Sequence, residues 1–144
     1  MPPVFKSLDW SGDTPGSRLR QARIENNMTI RELAKAISIS PENLGKLEAD
    51  RFNASMHNLR LLSSVLGVSI PYLGCFENLP KKTLGQCIKK ARLFHGLTKR
   101  EFAGIMGVSE KAIWGWEQDQ YKPLEKYLTT LDQYLSILNI AGEV

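Results

Sequence analysis

The 144-residue chain is 42% hydrophobic and 24% charged, a globular balance that excludes a disordered or low-complexity protein and suits one ordinary domain or two small ones. No apolar run approaches the roughly 20 residues of a membrane-spanning helix, and the opening MPPVFKSLDW lacks the basic start and apolar centre of a signal peptide, so no membrane association is expected and the expected home is the cytosol. The formal charge of +4 is uneven: positions 81–111 hold eight Lys/Arg against two Asp/Glu, a local basic field that suits a polyanion. Cys75 and Cys87 form no C-x-x-C motif and lie far from His57 and His95 in metal-ligand spacing, so neither a metal site nor a cofactor is expected.

After an N-terminal arm (1–14), the spacing of Leu19, Ala22 and Arg23 predicts a helix that begins near Gly16 and stops at Asn26-Asn27. Thr29, followed three residues later by Glu32, is a capping box that opens a second helix over Thr29–Ala36. A turn, Ile37-Ser38-Ile39, leads to Ser40 as the cap of a third helix, with Pro41 at its first position and Leu44 and Leu47 on its inward stripe.

The pattern then returns. Shifting 16–54 by 69 residues onto 85–123 matches ten of 39 positions identically, among them Arg23/Arg92, Thr29/Thr98, Glu32/Glu101, Ala34/Ala103, Ser40/Ser109, Glu48/Glu117 and Asp50/Asp119. A helix from about Lys82 with Ile88, Ala91 and Arg92 on one stripe stops at His95-Gly96; Thr98–Ile105 is capped by Thr98 and Glu101; Met106-Gly107-Val108 turns into a helix capped by Ser109. Gly107 invites a positive φ, but its counterpart is Ser38, which argues against a strict requirement. Trp114 and Trp116 cannot share a face. Trp116 stands where the first half has Leu47 and belongs in the core. Trp114 stands where it has Gly45 and is expected at the rim of the helix, its indole free to meet a phosphate, a lysine or a partner. Between the halves, SIPYLGCFENLPKKT carries prolines and apolar residues and reads as a semi-packed connection.

Two capped helices joined by a short apolar turn make a helix-turn-helix, and TIRELAKAISIS…LGKLEAD and TKREFAGIMGVSEKAIWGWEQD both resemble the Cro/repressor-like (Xre-type) helix-turn-helix family. MHNLRLLSSVLGVSIPYL resembles that family's fourth and fifth helices, and the amphipathic run from Pro123 to Leu135 a fourth helix of the second half. The resemblance implies an all-α protein of two tandem lambda-repressor-like domains of four to five helices each: domain 1 over 15–76, a linker over 77–84 and domain 2 over 85–144. It also implies two structural salt bridges, Arg23–Glu48 and Arg92–Glu117, each locking helix three to helix one; contact of either arginine with phosphate is the competing role.

A helix-turn-helix reads DNA with the outward face at the start of its third helix. This places base reading at Glu42, Asn43 and Lys46 and at Glu110, Lys111, Ala112 and Gly115. Asn pairs with adenine, Glu accepts from cytosine, Lys donates to guanine and Ala meets the thymine methyl. Phosphate contacts fall to Thr29, Arg31, Ser40, Thr98, Lys99, Arg100, Ser109 and Trp114, where helix N-terminal amides add positive potential. Gly45 and Gly115 each cost about 1 kcal/mol of helix propensity, which either close approach to a backbone or a helix that settles only on DNA would explain.

The expected function is a sequence-specific regulator of transcription, a repressor, bound to double-stranded DNA in a prokaryotic cytosol or nucleoid, with homodimerisation left open. The alternative is an antitoxin-like or adaptor module on the same fold, whose protein partner would meet Tyr72, Leu73, Phe76 and the last helix. No enzyme is expected, since the sequence holds no nucleophile motif, P-loop or metal cluster.

Overall fold

In the computed structural model, residues 13–140 are described; most of the N-terminal arm (1–12) and positions 141–144 lie outside them. Every regular element among the described residues is helical, and the chain divides into two compact units between Cys75 and Phe76.

The first unit contains α1 (Pro15–Glu25), α2 (Ile30–Ala36), α3 (Pro41–Glu48), α4 (Met56–Leu66) and α5 (Ile70–Gly74). Each starts on a hydroxyl: Thr14, Thr29, Ser40, Ser55 and Ser69 accept from the amide three residues on, which satisfies one of the orphan donors of each N-terminus. α3 packs on both α1 and α2, and α5 packs on α1 and α4. Leu19, Leu33, Leu44 and Leu62 from four different helices meet in the core, each at most 4% exposed. α5 is fastened from outside that core by Arg18. Its Nη1 donates to the Tyr72 carbonyl at 2.8 Å, its Nε to Asp13 Oδ1 at 2.8 Å, and its guanidinium lies over the Tyr72 ring. The hydrogen bond from Arg18 holds the Asp13 carboxyl below its ordinary range, and burial pushes the Tyr72 phenol up.

The second unit opens with a 3-10 turn (Phe76–Asn78), followed by α6 (Leu84–Phe94), α7 (Lys99–Met106), α8 (Glu110–Glu117), α9 (Glu125–Leu135) and α10 (Ile137–Ile140). Ile88, Phe102, Ala103, Met106, Ile113, Trp116 and Leu131 form its core, with Tyr127 and Tyr134 packed on the rim. The segment expected as a linker, 77–84, folds as part of this unit. Lys90, 2% exposed, donates from Nζ to the carbonyls of Leu79 at 2.8 Å and Glu77 at 3.0 Å, and Thr83 caps α6. α9 carries no such hydroxyl: Leu124 occupies its N-cap position. Of the residues weighed as a protein-binding face, Leu73, Leu131 and Leu138 are buried, and Tyr127 and Leu135 cover the core; Tyr72 and Leu128 are the more exposed of the set.

Candidate nucleic-acid interface

In each unit the second and third helices and the turn between them are closed by the same bonds. In the first, Glu32 N donates to Thr29 Oγ1 at 3.0 Å and Thr29 N to Glu32 Oε1 at 2.8 Å. Ile39 N then donates to Ala34 O at 3.0 Å across the turn, and Asn43 N to Ser40 Oγ at 3.0 Å. In the second, the bonds are Glu101 N to Thr98 Oγ1 at 3.1 Å, Val108 N to Ala103 O at 3.0 Å and Ala112 N to Ser109 Oγ at 3.0 Å. The central turn residue is left-handed in both, at φ 61° for Ser38 and 72° for Gly107. The occurrence of serine at this position therefore does not relax the geometry. The closing bond from the next amide requires the left-handed step whichever residue takes it, and Ser38 adopts it at a cost glycine avoids.

Two further sets of contacts fix α3 against α1 and α8 against α6. Arg23 Nε lies 2.7 Å from Glu48 Oε2, while its Nη1 donates to Met28 O at 2.9 Å. Arg92 Nε lies 2.6 Å from Glu117 Oε2, and its Nη1 donates to Leu97 O at 2.9 Å. The second pair is the more buried, with side-chain exposures of 6% and 1% against 11% and 7%. Each guanidinium is spent inside its unit, and neither is presented to a phosphate.

The second set escaped the sequence reading. Asp50 accepts from Thr14 Oγ1 at 2.5 Å and from Gly16 N at 2.8 Å; Asp119 accepts from Thr83 Oγ1 at 2.6 Å and Gly85 N at 2.9 Å. A carboxylate just past the end of the third helix thus caps the start of the first, where the helix dipole favours negative charge. The approach is close enough to require glycine. A Cβ on Gly16 would sit 2.7 Å from the Leu47 carbonyl, and one on Gly85 would meet the Trp116 carbonyl and lie 2.7 Å from Asp119 Oδ1. Asp50 and Asp119 turn there at φ 58° and 57°, a region Asp enters more readily than most residues. The signal was present in the identity of Thr14 with Thr83, two residues outside the aligned window.

With the third helices so held, Glu42, Asn43 and Lys46 are exposed on α3, and Glu110 and Lys111 on α8, with Ala112 half-buried. Ser40, Ser109, Thr29, Arg31 and Arg100 are exposed, and Thr98 and Lys99 are half-buried beside them. The caps commit the hydroxyl oxygens of Thr29, Thr98, Ser40 and Ser109 as acceptors from backbone amides. Thr98 also directs its hydroxyl to Glu101 Oε1 at 3.1 Å. Of the eight cations counted in 81–111, Lys90 and Arg92 are buried and satisfied internally, so the outward field is smaller than composition suggests. Trp116 is 4% exposed and Trp114 is 44% exposed. Gly115 departs from expectation. It is buried, because the ring of Tyr121 folds over it, so it presents no bare backbone to a ligand; a Cβ there would lie 2.5 Å from ring atoms.

Residues 19–73 match the family model described as Helix-turn-helix, a stretch that lies within the first unit. Among characterised proteins, the chain is similar to the immunity repressor protein of Bacillus phage phi105, with 30% identity over 69 residues that cover 48% of this chain and 48% of that protein. The matched part thus spans about half the length of that relative. No solved structure matches the chain at comparable stringency. The stretch from Leu19 to Leu73, with its capped α2, left-handed turn and locked α3, is accordingly a helix-turn-helix domain.

Proposed function

We infer that the chain is a sequence-specific, double-stranded-DNA-binding regulator of transcription acting as a repressor, in which the second unit is also a helix-turn-helix domain and α3 and α8 are the helices that enter the major groove. The observation that supports this reading is the recurrence, 69 residues apart, of the whole set of contacts that aims a third helix: the Thr/Glu capping box, the left-handed turn, the Arg–Glu pair and the Asp clasp on a glycine. A scaffold built twice to orient an exposed, polar-tipped helix suits a ligand with a groove on each turn. The similarity to a phage immunity repressor supports the sign of regulation. Its action is binding rather than catalysis, in the cytosol or nucleoid where DNA is found.

Phosphate contacts position the two units and base contacts specify the site. Arg31 and Arg100, at the starts of α2 and α7, serve the first role; Glu42, Asn43, Lys46, Glu110, Lys111 and Ala112 serve the second. One chain thereby supplies two reading helices without a partner. The test is binding of the full chain to selected and random duplexes across a salt titration. Repressor-like reading gives a steep salt slope and at least ~10³-fold preference for the selected site. Weak, sequence-blind binding combined with tight capture of a protein partner would replace this reading with the adaptor one.

A further inference from the structure

We propose that the middle of the reading face of α8 is supplied by Tyr121, folded back through the gap left by Gly115, and that its ring is a specificity-determining contact; this rests on α8 being a reading helix, as inferred above. Three observations carry it. First, Gly115 stands two residues after Ile113, which at 3.6 residues per turn is about 200° around the helix. Ile113 faces the core, so position 115 faces outward, beside Lys111 one turn earlier. An outward position is buried only when something folds over it, and the Tyr121 ring does so: a Cβ on Gly115 would overlap its outer ring atoms. Second, the ring is anchored there. Tyr121 Oη donates to the Lys111 carbonyl at 3.3 Å, and the backbone turns back through Gln120 N donating to Gly115 O at 3.0 Å. Third, the ring is not itself covered. Tyr121 is 48% exposed, so it occupies the outward face and presents it to solvent.

The first unit shows what this replaces. Its residue at the position of Gly115 is Lys46, exposed on α3, and at the position of Tyr121 it has Phe52. A flexible cation suits guanine O6/N7, whereas a planar apolar ring suits the thymine methyl group. Tyr121 therefore selects an A·T pair in the part of the site read by α8.

The experiment is selection of duplexes from a random pool by the full chain, followed by single-base-pair affinity profiles, with thermal melting of each variant as the folding control. The expected result is one base pair at which the wild type prefers thymine by about tenfold. Tyr121→Phe keeps the ring but loses its anchor to the Lys111 carbonyl, so it narrows that preference without changing the preferred base; Tyr121→Ala and Gly115→Ala lose it, the second because the new Cβ evicts the ring. An unchanged profile in Tyr121→Ala, equal weakening on every sequence, or a Tyr121→Phe chain that prefers a different base at that pair overturns this assignment while leaving specific binding intact. A wild-type chain that selects no sequence overturns the DNA-reading function and this inference with it.

Discussion

α3 and α8 have alike interiors and unlike exteriors. Inward, Leu44 and Leu47 correspond to Ile113 and Trp116, Glu48 to Glu117, and the Asp50 clasp to that of Asp119. Outward, Glu42 corresponds to Lys111, Asn43 to Ala112, Gly45 to Trp114 and Lys46 to the Gly115–Tyr121 stack. The contrast separates two kinds of constraint. Core and clasp positions fix the angle of the helix, and changes there cost stability. Outward positions cost little to change, so on the proposed function their divergence is free to set what each helix contacts. The supports also differ: the first unit ties α5 to α1 through Arg18, and the second ties its leading segment to α6 through Lys90.

The largest expected effects test whether the two interiors are equivalent. Glu117→Ala strands a buried Arg92, and removing one partner of a buried pair costs about 3–5 kcal/mol. Glu48→Ala should cost less, because water reaches Arg23 more readily. Unit-resolved hydrogen exchange in denaturant separates the losses; equal losses, or none for Glu117→Ala, would break the ranking. Gly16→Ala and Gly85→Ala come next. The Cβ on Gly16 meets two backbone carbonyls and that on Gly85 one, none of which can rotate away, and overpacking of this kind costs about 1–3 kcal/mol. Gly45→Ala is the control. Its Cβ meets nothing within 4 Å, so the variant should gain up to about 1 kcal/mol of helix propensity.

Much of this scaffold was legible in the sequence, because caps and stripes are local signals. Thr29/Glu32 and Thr98/Glu101 announced α2 and α7, and the structure starts both helices there. What stayed hidden depends on contacts between segments. The Asp50–Thr14 clasp joins residues 36 apart, and no periodicity reports it. The connection with Pro71, Pro80 and its apolar residues read as semi-packed, with 77–84 as the linker, but the sequence did not show that one buried lysine ties this segment to α6 within the second unit. Gly115 looked like an open approach because a glycine's own chemistry says nothing about which ring lies over it. At the outward positions the residue types and the capping hydroxyls were readable, but the withdrawal of Lys90 from the outward charge was not, because its acceptors are the carbonyls of Glu77 and Leu79 on another segment.

Binding sharpens the exterior half of the comparison. Lys111→Ala should relax discrimination at one base pair by about 1–3 kcal/mol. Arg100→Ala, at a helix start, should weaken all sequences alike and lower the salt slope by about one. Glu42→Lys gives α3 the charge of its counterpart and should steepen the salt slope by a similar amount. Fluorescence anisotropy at several salt concentrations reads all three, and a Glu42→Lys chain with an unchanged slope would place α3 away from DNA.

The smallest effect concerns the turns, where the two units make the same left-handed step with different residues. A Cβ on Gly107 meets nothing within 4 Å, so Gly107→Ala carries the backbone cost of φ 72°, about 1–2 kcal/mol, less the roughly 0.4–1 kcal/mol by which alanine narrows the unfolded ensemble. Ser38→Gly relieves the same backbone cost at φ 61° and widens the unfolded ensemble by the same amount. The two changes are therefore expected to be nearly equal and opposite, a loss in the second unit and a gain in the first. Chemical denaturation of the two single variants against wild type measures both. A gain in Ser38→Gly well below the loss in Gly107→Ala, or a loss in both, would mean that the serine side chain contributes to its turn and offsets what its backbone geometry costs.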